Sequence, residues 1–447
     1  MLPPLGAGLA LLSVFDLARH LILVLLLCGA TFLSLAWTVR RLAATSAPSG
    51  RAILLGALLL RLPLLPLPPT LSDDVLRYLW DGRVAAAGWN PYRFPPEAPA
   101  LAPLRDDLWQ RLPHRQIPTV YPPFAVAAFS IAARLPFPIL SWKLWVTGAD
   151  LAACALLLRL ARQLGLPAGR TLWYAWNPLV ALEVAGMGHV DVLGVAAALA
   201  VVTILLARPV PSGERRGGEV ALAGALAALG VLAKLAPAAA LPLWARQSGR
   251  APLFLATALG LVAVAILPVV IATAGIPPGL VTYGVNWEWN GPLFEPLWRL
   301  LAAAGAAPAL ANLLDRYKAW SQEWSRYNWI YPYLYPQFLA KLLLAGLSLL
   351  AVVRSLGERE PVSGSGRLFG RLLLCSATVY PWYLLWVLPW AALALHPAWL
   401  ALSALILLSY LAPALGVAPW PWIWLAVWGP FFLLLVATWK RRPWSIA

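Results

Sequence analysis

The stretch Leu71-Ser-Asp-Asp-Val-Leu-Arg-Tyr-Leu-Trp-Asp-Gly-Arg-Val84 follows a long apolar segment and opens a polar, proline-rich loop. It holds three carboxylates, Asp73, Asp74 and Asp81, in a chain with only 18 Asp and Glu among 447 residues. Six acids, these three with Glu97, Asp106 and Asp107, lie between Thr70 and Gln116. Ser72 as a cap and Gly88 as a stop predict a short helix over 73–87. Leu76, Leu79, Trp80 and Val84 recur at helical spacing, which gives an apolar side suited to the membrane surface. Asp74, Tyr78 and Asp81 stand at i, i+4 and i+7 and share another face.

Around this loop the chain is apolar: 61% hydrophobic and 12% charged, with a mean hydropathy of +0.74. Soluble domains average about half apolar and about a quarter charged. The class is therefore an all-α polytopic membrane protein. The net charge of +16 does not point to nucleic acid, because most Arg residues end apolar segments, as the positive-inside rule expects. Membrane lipids are the expected partner. Cys28, Cys154 and Cys375 sit singly in apolar runs and read as small core residues, neither disulfides nor metal ligands. No signal peptide is expected: Asp16, Arg19 and His20 interrupt the first apolar run, and 21–39 is too long for one. The 25 Trp and 13 Tyr suit aromatic belts and a sugar-binding surface.

Segment 21–39 ends in Arg40-Arg41, which places that end inside; 52–69 returns outward, so the acidic stretch is external. A second short surface helix is expected over 101–112. Segment 125–135 is too short to cross and reads as a half-helix re-entering from outside. Segment 142–160 descends to Arg159, Arg162 and Arg170, 171–186 rises, and 190–207 falls to Arg208, Arg215 and Arg216. Segments 220–233 and 237–245 form a short pair with Lys234 at the turn, and 253–274 rises to the loop Trp287-Glu-Trp-Asn290. Residues 275–336 are expected to stay external and partly re-entrant. Segment 338–353 descends to a Gly/Ser-rich cytoplasmic loop, 361–366. Segments 368–380, 384–395, 399–411 and 423–438 follow, and the basic end Lys440-Arg-Arg442 is inside. The tally is about 13 transmembrane helices in one domain, 1–447, with external loops at 70–121 and 275–336 and an external N-terminus.

Four motifs occur in order: Ser72-Asp-Asp-Val-Leu-Arg-Tyr-Leu-Trp-Asp-Gly-Arg83 with Gly88-Trp-Asn-Pro-Tyr92 and Pro118-Thr-Val-Tyr-Pro-Pro123; Asn177-Pro-Leu-Val-Ala-Leu-Glu183 with Gly188-His-Val-Asp191; Lys234-Leu-Ala-Pro237 with Leu241-Pro242; and Tyr380-Pro-Trp-Tyr-Leu-Leu-Trp386. Together they resemble GT-C integral membrane glycosyltransferases, most closely the polyprenyl-phosphate-mannose-dependent mannosyltransferases. The leading helix before Ala52 and the stretch 315–335 depart from that pattern. The resemblance implies inverting transfer of a sugar, mannose by this likeness, from a polyprenyl-phosphate donor to a hydroxyl of a lipid-linked or glycan acceptor. It places the reaction on the outer face of the plasma (inner) membrane, with the lipid-linked sugar as a substrate and neither cofactor nor metal.

In that family the acidic residue lies four positions before an aromatic, which selects Asp74, four before Tyr78, as the base; Asp73 is its alternate. A prenyl phosphate is already a good leaving group, so one carboxylate that removes the acceptor's proton suffices, where hydrolytic glycosidases use two. Against this, an Asp in a first helical turn also offsets the macrodipole, and Asp73 could simply pair with Arg77. Asp81 reads as Arg77's structural partner. Lys234 stands alone among apolar residues and needs an anion, either the donor phosphate or a resident acid, Glu183 or Asp191. His189 with Asp191 has no specific metal spacing. Trp287, Glu288 and Trp289 suit sugar recognition or interfacial anchoring. Trp382 and Tyr383 suit the donor-lipid groove, and Arg77, Tyr78, Tyr121, Glu183, His189 and Asp191, all within the four motifs, are further candidates for the substrate and donor surface. The rivals are a transporter or flippase of lipid-linked glycans, and transfer of a sugar other than mannose. A transporter should place ionisable groups near the midplane and broken helices in related halves, whereas this chain gathers acids in one loop and shows no repeat.

Overall fold

The computed structural model describes residues 16–42, 48–207, 216–439 and 444. The Arg208 and Arg215 boundary and the basic end Lys440-Arg-Arg442 lie outside the described residues. Everything described is helix, turn or loop, apart from isolated bridges that tie Trp289 and Asn290 to Thr378. Five described helices are long and apolar enough to span by themselves: Leu21–Arg41, Pro138–Gln163, Ala251–Thr273, Pro336–Ser355 and Pro397–Leu415. The pair Phe294–Ala303 and Ala306–Ser321 is long and apolar enough only when taken together and is bent by 58° at its break, a geometry shared by broken spans and re-entrant loops. Four more apolar helices are shorter: Pro123–Arg134, Asp191–Leu206, Gly217–Ala233 and Trp422–Thr438.

This differs from about 13 uniform crossings, because proline and glycine break several expected spans. Segment 171–186 stops at Trp176; Asn177 caps the next turn through Leu179 N at 3.0 Å, with Pro178 at its first position. A π turn, Leu182–Gly186, follows before the helix Asp191–Leu206. The helix Gly217–Ala233 ends at Lys234, before Pro237. Segment 368–380 breaks after Leu374 and resumes as the 3-10 turn Pro381–Trp386. The expected Gly/Ser loop at 361–366 is instead the start of a buried helix, Pro361–Leu374, capped by Glu360. Its glycines permit close packing: a Cβ on Gly370 would stand 3.0 Å from the Trp399 ring.

The acidic stretch forms the helix Asp74–Ala86, with Asp73 rather than Ser72 at the cap position. Its apolar side does not lie on a membrane surface. Leu76, Trp80 and Val84 bury against Leu101 and Leu112 of the same loop, so the loop makes a small core of its own. The second surface helix is a 3-10 turn, Pro99–Leu104, and one α turn, Asp107–Gln110, since Pro103 removes a donor. The half-helix Pro123–Arg134 packs against the Asp74 helix. A Cβ on Gly82 would stand 2.3 Å from the Phe129 carbonyl oxygen, so the two backbones touch. Tyr78 stacks on Phe129, 4.6 Å between centroids and 2° from parallel.

Two buried polar pins hold this unit to the apolar helices. Arg61 pairs with Asp150, which also accepts from Tyr174 at 2.9 Å, all inside the protein. Lys143 donates to the Leu64 and Leu67 carbonyls at 2.8 and 2.7 Å, where prolines interrupt the helix leading to the loop. Arg61 and Lys143 thus each have partners, as the cost of burying charge requires. Cys28 and Cys154 are buried and Cys375 half-buried, all as free thiols.

Candidate active site

The helix breaks and the acidic helix meet around one cavity of about 570 Å³. The first loop contributes Asp73, Asp74, Arg77, His114 and Tyr121 to its wall. Asp191 and Lys234 come from two of the breaks, Tyr283, Trp287 and Trp289 from the second loop, and Trp382, Tyr383 and Trp386 from the third break. Phe369, Leu372 and Leu373 give it an apolar side. Charge and aromatic faces therefore line one end of a space whose remainder suits a hydrocarbon chain.

Asp74 keeps 28% of its side chain accessible at this wall, and its Oδ2 accepts from the Tyr78 hydroxyl at 3.3 Å. Tyr78 is itself fully buried among Phe129, Tyr121 and Trp142. Burial pushes the Asp74 carboxyl up, but the neighbouring His189 and Lys234 charges and the Tyr78 hydroxyl more than reverse this, holding it below the usual range. Asp73 stands at the rim, where loss of surrounding water and the adjacent Asp74 charge push it the other way. At neutral pH Asp74 is thus the better-held carboxylate of the two.

Lys234 meets Asp191 at 3.2 Å, and Asp191 also accepts from the Trp386 indole at 2.9 Å. The same ammonium lies over the rings of Tyr121 and Tyr383, 5.6 and 5.4 Å from their centroids. Asp191 is its resident anion. The Lys234 side chain remains 22% exposed, so a second anion can reach it from the cavity.

The other sequence-selected residues fall in three places. Arg77 reaches the wall but spends its guanidinium on the loop, donating to Asp81 at 2.9 Å and to the His114 and Ile117 carbonyls at 3.2 and 2.6 Å. Asp73 does not pair with it. Glu183 and His189 lie directly behind the wall, fully buried. Glu288 is outside the cavity wall and pairs with Lys341 at 2.9 Å, while Trp287 and Trp289 on either side of it face inward. Gly291 allows that loop to lie against the third break, since a Cβ there would stand 2.8 Å from the Ser376 and Ala377 oxygens.

Reasoning from sequence missed His114, Tyr283, Tyr380, Trp386 and Tyr410. Tyr380 and Trp386 were at hand, as the first and last residues of a motif whose middle was chosen. His114 packs edge-on to Trp287 at 4.7 Å and holds a left-handed backbone with φ of 48°, which no spacing rule would reveal. Tyr410 lies in a run that reads as ordinary apolar helix.

Residues 4–249, a little over half of the chain, match the family described as "Alpha-(1->6)-mannopyranosyltransferase, N-terminal domain". That stretch contains Asp74, Glu183, His189, Asp191 and Lys234 but ends before the second loop and the third break. A relative from Mycolicibacterium smegmatis, named "Probable alpha-(1->6)-mannopyranosyltransferase", is 25% identical over 438 residues, covering 87% of this chain and 74% of its own. No solved structure matches the chain.

Proposed function

The chain belongs to the alpha-(1->6)-mannopyranosyltransferase family, and from that premise we propose that it moves mannose from a polyprenyl-phosphate donor to the primary hydroxyl of a mannose-containing, glycan or lipid-linked acceptor on the outer face of the plasma membrane. One observation carries this reading: an ionised carboxylate, Asp74, and a reachable ammonium, Lys234, share a cavity walled by indoles and tyrosines and backed by apolar side chains. Transfer needs both groups and little else.

The leaving group is the prenyl phosphate, and Lys234 neutralises the charge that grows on it as the C1–O bond breaks. Asp191 and the two tyrosine rings hold the ammonium near that place, so little reorganisation is needed at the moment of reaction. Asp74 accepts the proton of the attacking hydroxyl as the new bond to C1 forms. Attack opposite the departing phosphate inverts C1, and an α product by inversion requires a β-linked phosphate in the donor. Trp287, Trp289 and Trp382 offer flat faces to sugar rings. Phe369, Leu372 and Leu373 offer the first isoprene units an apolar seat.

Purified protein incubated with a panel of prenyl-phosphate sugars, with a mannosyl acceptor and mass spectrometry of the products, tests this. Mannose transfer from the β-phosphate alone, with a 1→6 linkage in the product, is expected. Transfer from a nucleotide sugar instead, or from the α-phosphate, would overturn the donor assignment.

A further inference from the structure

Asp74 has an inner side that the reaction as described leaves unused. Against it lies His189, fully buried, with Nδ1 3.6 Å from Asp74 Oδ2. The other ring nitrogen, Nε2, lies 3.3 Å from Glu183 Oε2, also fully buried. Neither nitrogen makes a hydrogen bond among the described residues, so the two carboxylates are the ring's ion-pair neighbours. The imidazole lies flat on Trp382, 3.7 Å between centroids and 14° from parallel, so it cannot swing away. Glu183 is fixed in turn by the Tyr410 hydroxyl, which donates to its two oxygens at 2.9 and 3.0 Å. Neither His189 nor Glu183 reaches the cavity wall, whereas Asp74 and Tyr410 both do.

With both carboxylates ionised, a row of carboxylate, imidazole and carboxylate is free of repulsion when the imidazole is doubly protonated. The ring carries a proton on each nitrogen and aims one at each acid. His189 and Tyr78 then both address Oδ2 of Asp74, and no side-chain contact among the described residues takes Oδ1. Resting on the reading of Asp74 as base, we propose that Glu183 and His189 are positioning residues that hold Asp74 by Oδ2 in its ionised form and reserve Oδ1 for the acceptor's proton. In the transfer step the hydroxyl proton passes to Oδ1, the hydroxyl oxygen bonds C1, and the phosphate leaves with the C1–O pair. His189 keeps both its protons throughout.

The charged and titratable groups around this row are Asp73, Tyr78, Tyr121, Asp191, Lys234, Tyr283, Tyr380 and Tyr410, with His114 near Asp73 and Cys28 near Glu183. The Lys143 stem passes Gly188, but its ammonium is committed to carbonyls. Without His189, burial of Asp74 meets less opposition, so its acid form gains ground. The acid limb of kcat/KM then moves to higher pH, which loss of a merely structural ring would not cause.

The test compares His189→Gln, Glu183→Gln and Asp74→Asn in the same membranes, each checked for folding by gel filtration and thermal melting. The expected result is a fall in kcat of about tenfold to a hundredfold for His189→Gln, smaller than the roughly 10²–10⁴-fold that loss of the general base itself costs. Its donor KM should change little, and its acid limb should rise. Glu183→Gln should shift the limb in the same direction and carries the test if His189→Gln does not fold. Asp74→Asn inactive, with both others within threefold of wild type and an unmoved acid limb, leaves the base in place and overturns the positioning role. Activity in all three overturns the base as well.

Discussion

Replacing Lys234 by Met separates a lysine that holds the donor from one that only answers Asp191. An ammonium and a phosphate about 4 Å apart attract by about 4 kcal/mol at an effective dielectric near 20, before desolvation. Hydrogen bonds to charged groups net about 1.5–3 kcal/mol in proteins. The Lys234 side chain is 22% exposed, so the lower part of that range applies, about 2 kcal/mol. The donor should therefore bind about thirtyfold more weakly, with acceptor KM nearly unchanged. Stability falls too, because Asp191 keeps only the Trp386 indole, and orphaning a buried charge is costly. Pairing Lys234→Met with Asp191→Asn removes that charge. The double variant should recover folded yield while donor binding stays weak. Binding is read by tryptophan quenching in nanodiscs with a polyprenyl-phosphate mannose, and turnover by transfer of labelled mannose. A folded single or double variant that binds donor within about threefold of wild type would refute the assignment and leave Asp191 as the lysine's anion.

Asp74→Asn keeps the shape of the carboxyl and an acceptor for Tyr78 but cannot take a proton, so turnover should fall by about two to four orders of magnitude. Asp73→Asn, measured beside it, should stay within about tenfold of wild type; the reverse ranking transfers the role to Asp73. Because Asp74 is held below the usual carboxylate range, activity present at neutral pH should be lost only as pH falls below that range. A decline in kcat/KM already under way near pH 6 contradicts this. Cysteine at the exposed Ala100 should react with an impermeant maleimide in intact spheroplasts, and labelling only after permeabilisation would put the cavity on the cytoplasmic side.

What could be read from sequence is what short-range spacing determines. Asp74 and Tyr78 one turn apart, Arg77 and Asp81 likewise, and an isolated Lys234 are local facts, and the structure brings them together much as local geometry requires. Helix counting failed where a span's continuity is decided by its neighbours. The run at 361–366 looks like a linker because Gly and Ser are poor helix formers. It is helix because those small residues let Leu243 and Trp390 approach. The apolar side of the Asp74 helix has the same signature whether it meets lipid or Leu101 and Leu112. Arg61 and Asp150 did carry a usable signal: single opposite charges inside two apolar segments, each needing a partner.

The three broken segments share a physical reason with the site. Backbone that leaves a helix within an apolar environment exposes groups that must be satisfied, so such breaks persist only where they are buried in protein or line a cavity. Here each break supplies a side chain as well as a gap. His189 and Asp191 leave the first, Lys234 marks the second, and Trp382 to Trp386 form the third. The Trp386 indole bonds Asp191, Asp191 bonds Lys234, and Trp382 covers His189, so the interruptions brace one another. Continuous helices would carry these residues away in different directions around their axes. The acidic loop closes over the assembled breaks from one side and brings Asp74, which touches the cavity and is held ionised by the groups around it. Placement of the proposed catalytic residues in this fold is thus a property of where helices stop.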